Sequence, residues 1–282
     1  MSTPNPNECI VVASVSGGKD STAMSLWLTE QGIEHRRVFA DTGWEHPATI
    51  EYVNTYLPEI IGPIDTVRGV RTFEEEVLRK GMFPSRMRKW CTSELKLKPI
   101  FKYIDAASDD GEVINAVGIR RAESTARANM SEWEFNNNID CWAWRPLVTW
   151  SEADVIDIHQ RHGVRPNPLY LRGASRVGCW PCIHARKAEI RLVADIDPER
   201  IALIRRMEED VNTIARAKFE ARGETMRSAR AMYQGADGGT VPIDDVVAWS
   251  RTARGGKQML MFETGEPGCV RWGMCDTADD DS

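Results

Sequence analysis

The chain contains no apolar run near the ~20 residues that a membrane-spanning helix requires, so no segment reads as a bilayer span. Its opening residues, MSTPNPNE, offer neither a basic leader nor an apolar stretch behind it, so no secretory signal is expected and the cytoplasm is the expected compartment. Thiols stay reduced there, and the seven cysteines therefore read as metal ligands or reactive groups and not as disulfides. Histidine is scarce, with five residues, and these show no zinc-type spacing among themselves. Internal repeats and low-complexity linkers are missing too, which excludes solenoids and tethered arrays. What remains is a 282-residue chain, 42% hydrophobic and 28% charged, the composition of an ordinary globular protein with one large domain or one domain and a smaller appendage.

The net charge of −6 argues against a surface coated throughout by nucleic acid, but the charge is unevenly spread. Between Arg68 and Lys102 stand ten Lys or Arg (68, 71, 79, 80, 86, 88, 89, 96, 98, 102) against four Glu, whereas Asp276 to Ser282 holds four Asp. Such a basic stretch suits an anionic substrate; a solvated helix face is the plainer account.

Ile10 to Ser14 is a short β-branched run, and Met24, Trp27 and Leu28 follow at helical spacing. The alternation continues through a strand at Val38–Ala40, a helix at His46–Tyr56, a strand at Ile64–Val67, helices at Phe73–Arg79 and Leu95–Ala106, and a strand at Val113–Ile119. Strands alternating with helices predict an α/β fold, a Rossmann-like parallel sheet with helices on both faces and ligands at its carboxyl edge. Asn129 to Trp144 reads as a polar, Trp-rich loop, and Ser151 with Asp154 as a capping box opening a further helix. Pro198 to Ala221 reads as a long helix with Ile201, Ile204, Met207 and Val211 on one face. The expected organisation is a nucleotide-binding domain over 8–150, a Cys-rich helical region over 151–275 packed on it, and an acidic tail over 276–282.

The segment Ser14-Val15-Ser16-Gly17-Gly18-Lys19-Asp20-Ser21 sits between the first strand and the first helix. Its backbone N–H groups and the positive helix end converge on a phosphate site, and the two glycines let the backbone come close. It is not a Walker A loop, since Lys19 is followed by Asp20, a carboxylate able to hold Mg²⁺ or to orient a pyrophosphate leaving group. Asp41 and Thr42 end the second strand at the same edge, where they can accept from a ribose or a metal or simply cap a helix. Gly118, Arg120 and Arg121 end the fourth strand there; either guanidinium can clamp phosphate, or pair with Glu123.

With this loop the sequence resembles the PP-loop ATP pyrophosphatases, which have the adenine nucleotide α-hydrolase-like fold. Phe39-Ala40-Asp41-Thr42-Gly43-Trp44-Glu45-His46-Pro47, Lys89-Trp90-Cys91-Thr92 with Lys96 and Pro99, Gly118-Ile119-Arg120-Arg121 with Glu123-Ser124, and Trp144-Arg145-Pro146-Leu147 with Trp150 are similar to the phosphoadenylyl-sulfate (PAPS) reductase branch. The resemblance covers roughly residues 10 to 183. It implies Mg·ATP bound at Ser14, Ser16, Gly17, Gly18, Lys19, Asp20, Ser21, Asp41, Thr42, Gly118 and Arg121. It further implies ATP cleavage between the α- and β-phosphates, with Lys19, Asp20 and Arg120 as the catalytic set.

Cys179-x-x-Cys182 binds metal or performs redox chemistry, and with no thioredoxin-like βαβ context before it a metal site is favoured. In the related adenylyl-sulfate reductases and DNA phosphorothioation PP-loop proteins, such a pair and a cysteine near the position of Cys91 bind a [4Fe–4S] cluster. The resemblance therefore suggests Cys91, Cys179 and Cys182 as ligands, with Cys275 or Cys269 as the fourth, or a substrate sulfur on an open iron. A Zn²⁺ site from Cys179, Cys182, Cys269 and Cys275 is the rival, free buried thiols the plainest account. Cys9 and Cys141 read as bystanders.

PAPS reductases carry a C-terminal Glu-Cys-Gly-Leu-His, where this chain has Gly268-Cys269-Val270-Arg271-Trp272 and Met274-Cys275-Asp276. An ATP-dependent sulfur-inserting enzyme is therefore expected first, a sulfonucleotide reductase using Cys269 or Cys275 second, and a non-catalytic nucleotide-binding partner module third. The acceptor is a small molecule or a nucleic acid received by the basic stretch and Trp133, Trp142 and Trp144, unless those rings are core. A sulfur donor protein and a homodimer are compatible with the chain.

Overall fold

A computed structural model describes residues 2–137, 139–226, 228–235, 238–253 and 272. β1 (Ile10–Ser14) runs through the middle of a six-stranded sheet and leads into α1 (Lys19–Glu30). Then come β2 (His35–Asp41), a helical rod over 47–61 made of α2 (Pro47–Glu51), a π-helical turn (Tyr52–Tyr56) and α3 (Leu57–Ile61), and β3 (Ile64–Arg68). α4 (Phe73–Lys80), α5 (Trp90–Thr92) and α6 (Lys98–Ser108) precede β4 (Val113–Val117). With β5 (Trp133–Asn136) and β6 (Cys141–Trp144), the strand order is β3-β2-β1-β4-β6-β5, β5 antiparallel and the other neighbours parallel. The order reverses between β1 and β4, and the crevice outside their carboxyl ends is where such sheets take ligands.

The central strands are apolar on both faces because helices cover both. Val11 and Ala13 face α1, the 47–61 rod and α7 (Glu152–Arg161), whereas Val12 and Val38 face Ile104 and Ala107 of α6. Ser151 and Asp154 cap α7 reciprocally, and Val155 and Ile158 join the core beneath the sheet. Beyond it α8 (Pro168–Leu171), α9 (Lys187–Ile196), α10 (Pro198–Glu220), a small β7–β8 pair (Tyr233–Gln234, Thr240–Val241) and α11 (Ile243–Ser250) build a second core. Ile201, Ile204, Met207 and Val211 of α10 are buried there beside Trp44 and Phe73, as their spacing predicts.

One expectation fails. The segment 129–144 is no open loop but contains a hairpin, β5 paired with β6 (Cys141–Trp144), in which Trp133 lies opposite Trp144. Their rings stack with centroids 5.0 Å apart and planes 9° apart, and Trp27 meets Trp144 edge-on. Cross-strand aromatic pairing outweighs the Asn-rich composition that suggested a loop. Trp144 is buried and Trp133 half-buried against the core, so these rings belong to the fold and not to a displayed stacking platform. The helix expected from Leu95 begins as a π-helical turn at Ser93–Leu97 and becomes α-helical at Lys98.

Candidate active site

The loop after β1 turns through Gly17, whose φ of +71° suits glycine. A Cβ there would lie 2.7 Å from Val53 Cγ2, so the glycine also lets the 47–61 rod pack against the loop. Ser21 Oγ donates to the Gly18 carbonyl (3.0 Å) and accepts from Ser16 N–H (3.0 Å), closing the loop on itself. Ser14 lies outside this ring of bonds, its Oγ 3.5 Å from Asn115 Oδ1 on β4.

Two residues that sequence reasoning missed hold the loop from the far side. Asn167 Nδ2 donates to the Gly17 carbonyl and to Thr49 Oγ1, each at 3.2 Å, and the side chain is 1% exposed. Tyr170 accepts from the Lys19 N–H at 3.1 Å, and its ring faces Lys19 Nζ at 5.3 Å from the centroid. Only the Asn-Pro pair at 167–168, a helix-start signal, hints at either in the sequence.

The predicted catalytic set comes together. Asp20 Oδ1 accepts from Arg120 Nε at 2.5 Å, and Lys19 Nζ lies 3.7 Å from Asp20 and 3.3 Å from Glu152. Arg120 is 4% exposed, so its charge depends on that carboxylate. Gly118 permits the approach: a Cβ on it would stand 2.7 Å from the Asp20 carbonyl oxygen. Arg121 does not join; the chain leaves β4 with Arg120 turned inward, while Arg121 is exposed and donates to the Met130 carbonyl (2.8 Å).

Asp41 and Thr42 are occupied structurally. Asp41 accepts from the Gly43 N–H and from both Nε and an Nη of Arg68. Thr42 donates its hydroxyl to Glu45 (2.8 Å), whose carboxylate also accepts from the Thr42 and Trp44 N–H groups. The strand-end segment pairs through Glu45 with Cys179 in an isolated bridge, and Trp180 N–H donates to the Trp44 carbonyl at 2.8 Å. The Cys-x-x-Cys loop is thereby fixed to the carboxyl edge of the sheet.

One cleft of ≈ 350 Å³ is lined by Ser16, Gly18, Asp20 and Ser21 on one side and by Cys179 and Cys182 on the other. Lys96 also lines it. The Cys179 sulfur beside the Lys96 ammonium pushes its pKa up, with Glu45 contributing; burial pushes the Cys179 thiol up. Burial likewise raises the Cys91 thiol, and the charges of Cys179 and Cys182 add to that, so the three sulfurs are electrostatic neighbours. Among the described residues no group of three or more His, Cys, Asp or Glu is arranged to hold a metal ion. Cys269 and Cys275 lie outside the described residues. Cys141 is buried on β6 and Cys9 half-buried beneath the sheet, both away from the cleft.

The basic stretch is largely engaged. Arg71, Arg79 and Lys80 converge on Glu76, Lys98 pairs with Glu94, and Arg68 with Asp41.

Burial holds His159, behind the cleft, at a pKa of about 4, and does the same to His35 under α1. The unfolded chain binds those protons nearer pH 6.5, so this stability is present above that pH and is lost as pH falls toward 4. The melting temperature is expected to drop across pH 6.5 to 4, less steeply in His159→Gln; equal slopes would refute the assignment to His159.

A phosphate loop at the switch point of a parallel sheet, with an acid–arginine pair across it, defines a PP-loop nucleotide-binding α/β protein. The phosphoadenosine phosphosulfate reductase domain profile matches residues 10–185, and the chain belongs to that family, in its PAPS reductase-like PP-loop branch. It is 33% identical over 302 residues to an uncharacterized 37.8 kDa protein of Escherichia phage 186, covering 88% of this chain and 90% of that one. It is 30% identical to an uncharacterized protein of Methanocaldococcus jannaschii, of which it spans 44%. It is 32% identical over 117 residues to the adenosine 5'-phosphosulfate reductase of Burkholderia cepacia, 42% of each chain. A PAPS reductase from Candida auris superposes with a TM-score of 0.47 at 18% identity, over 60% of this chain and 81% of that one.

Proposed function

We propose that this chain binds Mg·ATP in the cleft, cleaves it between the α- and β-phosphates, and activates an acceptor for sulfur transfer. The observation that carries this reading is the shared cleft: the phosphate loop and the Cys-x-x-Cys loop line the same ≈ 350 Å³. The cations that line the cleft are Lys96, Arg127 and Arg176; the buried Lys19 and Arg120 add two positive charges next to the lining Asp20, but Asp20 and Glu152 stand against them. A polyphosphate therefore needs a divalent ion to meet Asp20, and Asp20 is assigned to that ion. An acceptor oxygen attacks the α-phosphorus, pyrophosphate leaves, and the acceptor carries AMP until a sulfur nucleophile displaces it. Lys19 and Arg120 meet the charge that builds on the phosphate oxygens. The positive end of α1 points to the same place.

Cys91, Cys179 and Cys182 are soft donors that suit iron or zinc, with Lys96 offsetting thiolate charge, and Cys275 is the candidate fourth ligand. A [4Fe–4S] cluster there would supply sulfur or electrons next to the nucleotide.

Anaerobically prepared protein with Mg·ATP and candidate small-molecule or nucleic-acid acceptors is expected to release pyrophosphate and leave an adenylated or thiolated product seen by mass spectrometry. Release of orthophosphate alone would sink the reading, and absence of iron and sulfide would remove the cluster. A second reading, sulfonucleotide reduction, draws on the several relatives named adenosine 5'-phosphosulfate reductase. It requires sulfite from PAPS or adenylyl sulfate that disappears in Cys269→Ser or Cys275→Ser.

A further inference from the structure

Trp272 comes from near the end of the chain, yet it is 4% exposed and lies behind the phosphate loop. Its ring meets Tyr170 at 5.8 Å and His159 edge-on at 5.2 Å, and its carbonyl accepts from Gln160 Nε2 at 3.2 Å. Tyr170 is the side chain whose oxygen accepts the Lys19 N–H, at the first residue of α1. His159 and Gln160 belong to α7, the helix whose Glu152 holds Lys19 Nζ. The contacts therefore close a circuit from Lys19 through Tyr170, Trp272 and α7 back to Lys19, and Trp272 is its middle piece.

We infer that Trp272 is a positioning residue of the phosphate loop, acting through Tyr170; this rests on the reading of residues 14–21 as the nucleotide site. The Tyr170 hydroxyl pins the first amide of α1, so where it stands fixes the path of the loop and the helix start that a phosphate meets. His159 keeps its Nδ1 on the Val155 carbonyl at 2.7 Å and is a fixed wall. With Trp272 removed, the Tyr170 ring loses the aromatic surface on that side. Tyr170 then samples other positions and the Lys19 amide opens more often.

The test uses the full chain and two readouts, amide exchange at Lys19 by NMR and ATP affinity by calorimetry. Trp272→Ala is expected to speed Lys19 exchange roughly tenfold and to weaken ATP about 5- to 20-fold, the scale of one lost ring contact with some loop disorder. Trp272→Phe restores most of both. In a Tyr170→Phe background, where the Lys19 acceptor is already gone, Trp272→Ala adds little; a purely structural role would add its full effect there. Gln160 is exposed, so Gln160→Ala tests the same anchor, with smaller shifts, should Trp272→Ala not fold. Unchanged Lys19 exchange in the Trp272 and Gln160 variants overturns the inference. Faster exchange in a chain whose native form binds no ATP keeps the positioning role and fails the nucleotide reading instead.

Discussion

Gly118→Ala is expected to cost at least ~100-fold in pyrophosphate release, because displacements near 1 Å at a reacting centre carry losses of that order. The added Cβ would stand 2.7 Å from the Asp20 carbonyl oxygen, 2.9 Å from its carbonyl carbon and 2.9 Å from Ser21 Cα. All three are backbone atoms in the first turn of α1, so no side chain can swing aside. Either the helix start or the end of β4 must move, and Asp20 and Arg120 ride on those two pieces. Overpacking of this kind costs about 1–3 kcal/mol, or several degrees of melting temperature for a chain of this size. An alanine variant with native melting and native turnover would show that the approach at Gly118 is not what sets the pair.

The second large effect belongs to Asp20. Asp20→Asn is expected to lower turnover by roughly 10³-fold, the scale for losing a preorganised charge at the reacting group. The amide keeps the carboxylate's shape and an acceptor for Arg120 Nε, so the loss of fold is smaller than in Asp20→Ala. Asp20→Ala would be a poorer test, since it strands the buried Arg120 guanidinium, and breaking such a pair costs about 3 kcal/mol even before catalysis is measured. Melting curves on both variants separate the effects: Asn keeps an acceptor for Arg120 but not the counter-charge and should melt below native, and Ala, which removes both, lower still. Turnover in Asp20→Asn within a factor of ~3 of native would remove Asp20 from the catalytic set, a factor smaller than loss of one hydrogen bond produces.

Much of this site is legible in the sequence because its signals are local. The Gly-Gly loop between a β-branched run and a helical pattern places Ser16 to Ser21, and the strand ends at Asp41 and Gly118 follow from the alternation. What escapes is set by contacts between distant residues. The Lys19–Tyr170 and Asn167–Gly17 bonds span 151 and 150 positions, and no periodicity announces them. Glu45 takes its place from Thr42 and the Cys179 bridge, again a tertiary fact. Arg121 is a different failure: side chains alternate as an extended chain leaves a strand, so of two adjacent arginines only one turns inward. The Trp-rich segment reads as a loop because Asn content is a composition signal, whereas Trp133 opposite Trp144 is a pairing signal that needs the register.

The bond from Asn167 to the Gly17 carbonyl also sets an order of events during synthesis. The phosphate loop leaves the ribosome near the start of the chain, and its latch follows 150 residues later. At ordinary elongation rates that gap is about 8–30 s, but the last strand of the sheet, β6, ends at Trp144, so the sheet and the latch are completed close together. Closure of the loop is then set by the region that carries Asn167 and not by the strand and helix that flank the loop.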